Sequence, residues 1–258
     1  MRAEATAEEV AFYRTNGFVQ LDNVLSNDEI ARLADAMDEA MAEARADDHA
    51  VHSARSGPYY RVLNQKVNVW RDHGGIAQVT CAAELAAIAR QLVGASGMRL
   101  FHDHLLWKMP GDSKPTPWHQ DLPYWPMEAP DALSFWIPVH DVDEHNGAMM
   151  FVPKSQTAGK LKMISLVEPE DLMEYARQRG MEPERPLIAR LRAGSLTVHS
   201  GLTFHYAHAS QSDRPRKVLA IIYMPDGTIY TGKSHVVTDG LGLVAGQPFH
   251  GGRFPRLA

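Results

Sequence analysis

Beyond Met98 the hydrophobic pattern of this chain changes period, and that change narrows the fold more than any other feature. Met98-Arg-Leu-Phe-His-Asp-His-Leu-Leu-Trp-Lys108 is aromatic and alternating, Leu133-Ser-Phe-Trp-Ile-Pro-Val-His140 is strongly strand-like, and Ala148-Met-Met-Phe-Val152 follows a turn signal at Asn146-Gly147. Ser195-Leu-Thr-Val-His199, Thr203-Phe-His-Tyr-Ala207 and Lys217-Val-Leu-Ala-Ile-Ile-Tyr-Met224 continue the series. Short strands with turns between them bury their apolar faces by closing into two packed sheets. The expected class is therefore mainly β (α+β), with a double-sheet, cupin-like jelly roll over about 98–225.

Before Met98 the pattern is helical. Thr6-Ala-Glu-Glu9 has the form of a capping box, with Val10, Phe12 and Tyr13 on one side of a short helix that ends near Gly17. Phe18-Val-Gln-Leu-Asp-Asn-Val24 alternates as a strand, and Ser26-Asn-Asp-Glu29 offers a second cap. Over 28–45, Ile30, Leu33, Met37 and Met41 recur at helical spacing, which predicts an amphipathic helix lying against a sheet. A polar loop is expected over 46–56, a strand over 59–63, and a helix over 82–93 closed by Gly94. A further helix over 168–180 falls within a long insertion, about 157–190, of the kind that forms lids. No linker divides the chain, so one domain over 1–258 is expected, with residues 7–94 as helical support for the core.

The 26 Lys and Arg against 31 Asp and Glu give a slightly acidic balance with no basic cluster, which disfavours a nucleic-acid backbone as partner and favours a small molecule. Cys81 is the single cysteine. That excludes an intrachain disulfide framework and a cysteine-rich zinc site, and it fits a reducing cytoplasm. The N-terminus lacks the apolar core of a signal peptide, and no run approaches the length of a membrane span, so a cytoplasmic location is expected.

The chemistry centres on His119-Gln120-Asp121. Side chains two residues apart on an extended segment point the same way, so this imidazole and carboxylate are placed to share one metal ion. Pro115 and Pro117 force the extended approach, and Trp118 and Leu122-Pro-Tyr-Trp125 supply aromatic surface for a cavity. A third ligand has to come from elsewhere, and His199, His205 and His208 are all candidates that spacing alone does not separate. Two histidines and one carboxylate on one face of a metal, with the opposite positions open, is the ligand set of non-haem Fe(II) oxygenases. Arg216 opens the apolar strand 218–223, and a guanidinium entering a barrel needs a buried anionic partner.

Four segments, Trp118-His-Gln-Asp-Leu-Pro-Tyr-Trp-Pro126, Asn146-Gly-Ala-Met-Met-Phe-Val-Pro-Lys-Ser155, Ala193-Gly-Ser-Leu and His205 through Arg216, together resemble the phytanoyl-CoA dioxygenase family of Fe(II)/2-oxoglutarate oxygenases, over roughly residues 10–225. The resemblance implies His205 as third ligand, because the family's distal histidine precedes by eleven residues the arginine that takes the distal carboxylate of 2-oxoglutarate, here Arg216. It implies Fe(II), 2-oxoglutarate and O2, with succinate and CO2 as coproducts and hydroxylation of an unactivated C–H bond of a small molecule, such as a secondary metabolite, lipid or amino-acid derivative, as the default outcome. It also implies Lys66, Trp136 and His104 as further cosubstrate contacts. Where the family often has a small-residue turn after the distal ligand and then an asparagine, this chain has Tyr206-Ala-His208 and Gln211; His208 either supplies a polar contact or faces solvent. His102 shares a strand face with His104. Tyr59, Tyr60, Tyr124 and Trp125 are the candidate substrate wall.

Two other readings fit the same pattern of strands. A cupin-like Zn or Mn isomerase or hydrolase needs no cosubstrate and leaves Arg216 unexplained. A non-catalytic jelly-roll binding module predicts no succinate.

Overall fold

A computed structural model describes residues 1–42, 51–52, 64–110 and 113–258. The first helix, α1 (Ala7–Asn16), starts on the expected capping box, in which Thr6 Oγ1 accepts from the Glu9 amide and the Glu9 carboxylate accepts from the Thr6 amide. It stops at Gly17, which adopts the left-handed φ of 79°. The strand β1 (Phe18–Leu21) is shorter than its alternation suggested, because the chain turns at Asn23, φ 53°. Reciprocal bonds between Ser26 and Glu29 open α2 (Asn27–Ala42), which buries Ile30, Leu33, Met37 and Ala40, while Met41 is only partly covered.

Part of the expected loop over 46–56 is a short strand, β2 (Val51–His52), paired with β3 (Asn64–Val67). The strand expected over 59–63 lies outside the described residues. Two helices follow, α3 (Gly74–Thr80) and α4 (Ala83–Val93), the second closed by Gly94 as the sequence indicated. Together they are apolar enough to cross a membrane by composition, yet Ile76, Val79, Leu85, Ile88 and Leu92 belong to the core that the helices form with the sheet. Their hydrophobicity is accounted for by that packing.

The remaining elements are β4 (Met98–Lys108), β5 (Thr116–His119), β6 (Met127–Glu128), β7 (Leu133–Pro138), β8 (Met149–Phe151), α5 (Leu172–Arg177), β9 (Leu187–Ala189), β10 (Leu196–Ser200), β11 (His205–Ala207), β12 (Arg216–Pro225) and β13 (Ile229–Tyr230). A seven-stranded sheet in the order β1-β10-β7-β12-β4-β3-β2 faces a four-stranded sheet, β5-β11-β8-β9, and β13 pairs with β6. Every pairing is antiparallel. This is the expected jelly roll. The helix α5 is half the length expected because Asp171, rather than a residue near 168, caps it, accepting from the Glu174 amide.

Alternation along the large sheet decides what faces the site. Leu219, Ile221 and Tyr223 of β12, Leu133, Phe135 and Ile137 of β7, and Leu196 and Val198 of β10 pack in one core with α2, α3 and α4. On the other face, Ala220 and Ile222 of β12, Ser134 and Trp136 of β7 and His199 of β10 line a cavity of about 240 Å³. One irregularity alters this pattern: His102 pairs with Ile222 and Leu100 with the next residue, Tyr223. The extra residue on β4 is a bulge, and it brings both Phe101 and His102 to the inner side.

Candidate active site

His119 ends β5 and His205 begins β11, and the two are direct partners in the antiparallel register, with ring centroids 4.0 Å apart. Asp121 follows His119 by two residues and reaches back between them. Its Oδ1 lies 3.7 Å from His119 Nε2 and 3.5 Å from His205 Nε2, and the donor atoms of the three residues all fall within 4.8 Å of one another. That spacing lets one ion engage all three.

The ring orientations suit a metal. His119 Nδ1 is 2.7 Å from the Pro117 carbonyl and His205 Nδ1 is 3.0 Å from the Thr203 carbonyl. A carbonyl only accepts, so each Nδ1 carries the proton and each Nε2 offers its lone pair toward Asp121. Burial lowers the pKa of both imidazoles and so keeps them in the neutral form a metal requires. For Asp121 burial acts in the opposite sense and would raise the carboxyl, but the hydrogen bond from His199 favours the ionised form.

The far oxygen of Asp121 is held by two groups that the sequence did not single out for it. Ser134 Oγ donates to Oδ2 at 2.7 Å, and His199 Nε2 lies 3.1 Å from the same atom. Ser134 and His199 are register partners on β7 and β10, so the large sheet grips one oxygen and presents the other to the two histidines. Gln120, between the two ligand residues, points the opposite way. Its amide donates to the Gly159 and Leu202 carbonyls and its carbonyl accepts from the Leu161 amide, which fastens the start of the 157–190 insertion to the ligand segment.

At the other end of the cavity stands Arg216, 2 % exposed, with its guanidinium 5.2 Å from the centroid of the Trp136 ring. No carboxylate among the described residues pairs with it, and its Nε has no hydrogen-bond partner. Burial pulls its pKa down to about 9. Lys108, its register partner on β4, turns its amine to the carbonyls of Lys114 and Ala207, and burial, then the Arg216 charge, brings the amine down to about 6. A lone buried guanidinium lining a cavity is a site for an anion.

The other expected residues divide. Trp136, His104, Tyr124 and Trp125 line the cavity. Lys66 does not: it faces the helical side of β3 and donates to the Ala40 carbonyl in α2, while its neighbours Gln65 and Val67 line the cavity. Successive side chains on a strand point to opposite faces, so the cosubstrate contact expected of Lys66 does not match where its side chain lies. Tyr59 and Tyr60 lie outside the described residues. His208 is bonded through Nδ1 to the Ala148 carbonyl and packs edge-on against Tyr206, away from the cavity. His235, in the segment after β13, forms part of the wall, and no periodicity in its polar surroundings marked it beforehand.

A jelly roll that holds two histidines and one carboxylate around a common point, with a buried arginine beyond to which no carboxylate among the described residues is paired, has the constellation of a non-haem iron oxygenase that uses an acidic cosubstrate. The chain belongs to the phytanoyl-CoA dioxygenase (PhyH) family, whose model matches residues 13–218, and it is accordingly an Fe/2-oxoglutarate-dependent dioxygenase. Among curated relatives, a probable alpha-ketoglutarate-dependent hypophosphite dioxygenase of Stutzerimonas stutzeri is 22% identical over 84% of this chain and 78% of its own length. Among solved structures, the non-heme alpha-ketoglutarate-dependent carbocyclase SnoK from nogalamycin biosynthesis superposes with a TM-score of 0.84 at 26% identity, covering 98% of this chain and 97% of that one. The epimerase SnoN in complex with Fe3+, alpha-ketoglutarate and nogalamycin RO gives 0.80 at 26% identity, covering 97% and 98%.

Proposed function

We propose that this enzyme uses His119, Asp121 and His205 to hold Fe(II) and Arg216 to anchor 2-oxoglutarate, and that it hydroxylates an unactivated C–H bond of a small organic molecule in the cytoplasm. The observation that carries this reading is the pairing of a preset ligand triad with a buried cation that no carboxylate among the described residues neutralises. When bound, the metal and cosubstrate supply O2 activation coupled to oxidative decarboxylation, with succinate and CO2 as products. The chain's own part is orientation and exclusion of water. Trp136 lies against the Arg216 guanidinium, Ser134 and His199 fix the carboxylate ligand, and Leu166 of the 157–190 insertion contributes to the cavity wall as part of a lid. One domain spanning 1–258 completes this reading.

SnoK and SnoN are a carbocyclase and an epimerase, which supports ring closure or inversion as a second outcome of C–H cleavage. Labelling with 18O2 separates the two: label in the product marks hydroxylation, and unlabelled product marks cyclisation or epimerisation. The central test is binding. Calorimetry is expected to show one Fe(II) site and one 2-oxoglutarate site per chain, with iron binding lost in His205→Ala and 2-oxoglutarate binding weakened at least about tenfold in Arg216→Ala. Wild-type protein that binds neither would overturn the assignment.

A further inference from the structure

The cavity around the ligand triad is small for what it has to hold. At about 240 Å³ it falls below the range of roughly 300–1,000 Å³ usual for organic ligands, and a metal and its cosubstrate take their share of it. Beside them there is room only for the reacting end of a larger substrate.

A second cavity, of about 610 Å³, lies on the outer side of the four-stranded sheet. Tyr206 stands between His205 and Ala207 on β11, and because those two neighbours line the inner cavity, its ring points outward. There it packs against Trp118, with ring centroids 5.3 Å apart and planes inclined by 31°. Pro117 and Met173 of α5 add to this apolar lining. The charged residues around it balance, Lys114 and Arg177 against Glu170 and Asp171, so no net charge draws an ionic group there.

Among the described residues, Leu166 alone lines both cavities. It lies before α5 in a stretch without helix or strand, and neither its amide nor its carbonyl bonds to another described backbone group. Its neighbours carry the attachments: the Tyr124 hydroxyl donates to the Ile164 carbonyl, and Ser165 Oγ accepts from the Val167 and Glu168 amides. A side chain on backbone with so few bonds of its own can swing aside without disturbing the sheet.

We infer that Leu166 divides a two-part substrate site: the reacting end of an elongated, uncharged, apolar molecule enters the inner cavity, and its body passes Leu166 to lie on Trp118 and Tyr206 in the outer one. This names a substrate class for the proposed dioxygenase and rests on that reading for the reaction. The competing route out of the inner cavity runs past Val236, an exposed residue of its wall.

A series of probes graded by length tests it. Calorimetric titration under anaerobic conditions, with and without Fe(II) and 2-oxoglutarate, compares 2-phenylethanol, 4-phenylbutanol, 6-phenylhexanol and 8-phenyloctanol. The longest is expected to bind at least about fiftyfold more tightly than the shortest, because its added methylenes leave water in the outer cavity. Leu166→Trp, which walls off the passage, and Met173→Trp, which fills the outer cavity, are each expected to cut that ratio to about fivefold or less through weaker binding of the long probe. A ratio of about fivefold or less in the wild-type protein, or a high ratio that survives either substitution, overturns the inference. If a variant misfolds, a crystal structure of the wild-type protein with 8-phenyloctanol decides: one end of the probe against Trp118 and Tyr206 supports the inference, and a probe that leaves past Val236 overturns it. Failure of iron or 2-oxoglutarate to bind overturns the metal-site reading instead, and it is scored separately because the length series is also run without them.

Discussion

At the scale of single residues, Asp121 is only as good a ligand as its second oxygen allows. With Ser134 and His199 both on Oδ2, the carboxylate is restrained to offer Oδ1. Ser134→Ala is expected to weaken iron binding about tenfold, with recovery in Ser134→Thr, measured by competition with a chelator. On the opposite face of β4, Asp103 is buried beside Thr80 and Trp70, and burial raises its carboxyl to about 7 against an ordinary 3.8. Between those values the folded protein retains a proton that the unfolded chain has released. Its contribution to stability is therefore complete below about pH 4 and declines as pH rises toward 7, by about 1.4 kcal/mol for each unit of separation. Asp103→Asn should flatten that slope in denaturation midpoints compared at about pH 4.5 and pH 7.5. His119, Asp121 and Arg216 were legible because two-residue spacing and a strand-opening arginine carry their own geometry. Lys66 was misplaced because resemblance supplied a position without a face, and the choice of His205 over His199 needed the resemblance, since all three histidines lie in one stretch of the sequence.

At the scale of elements, the segment between the ligands doubles as a clasp. Gln120 bonds to Gly159, Leu161 and Leu202 from a site only 2 % exposed, so Gln120→Leu strands several buried polar groups. A loss of about 2 kcal/mol or more is expected in chemical denaturation, together with faster proteolysis within 159–166. The helices with paired caps were readable almost to the residue, because Thr6, Ser26, Gly17 and Gly94 satisfy backbone groups locally. The short strands were less so. The ladder of β11 starts at His205 because the Phe204 amide is taken by Ser155 Oγ, a partner distant in sequence that no local pattern announces.

At the scale of the whole molecule, the segment after β13 supplies part of the cavity wall. Phe249 and Phe254 are each 1 % exposed and join Phe101, Trp125 and Met224 in a core of their own, while His235 reaches the cavity from the same segment. This part was illegible beforehand, since isolated aromatics among glycines show neither helical nor strand period. Phe249→Ala and Phe254→Ala are each expected to cost about 3 to 4 kcal/mol by chemical denaturation, far more than trimming an exposed side chain such as Val244. The two imidazole ligands sit opposite one another on strands that lie far apart in the chain and become neighbours only in the correct alignment. An ion seated there doubles as a proofreader of assembly: a sheet shifted by one position turns one imidazole to the wrong side, forfeits the bound metal, and gains none of the extra stability that binding confers on the properly threaded form.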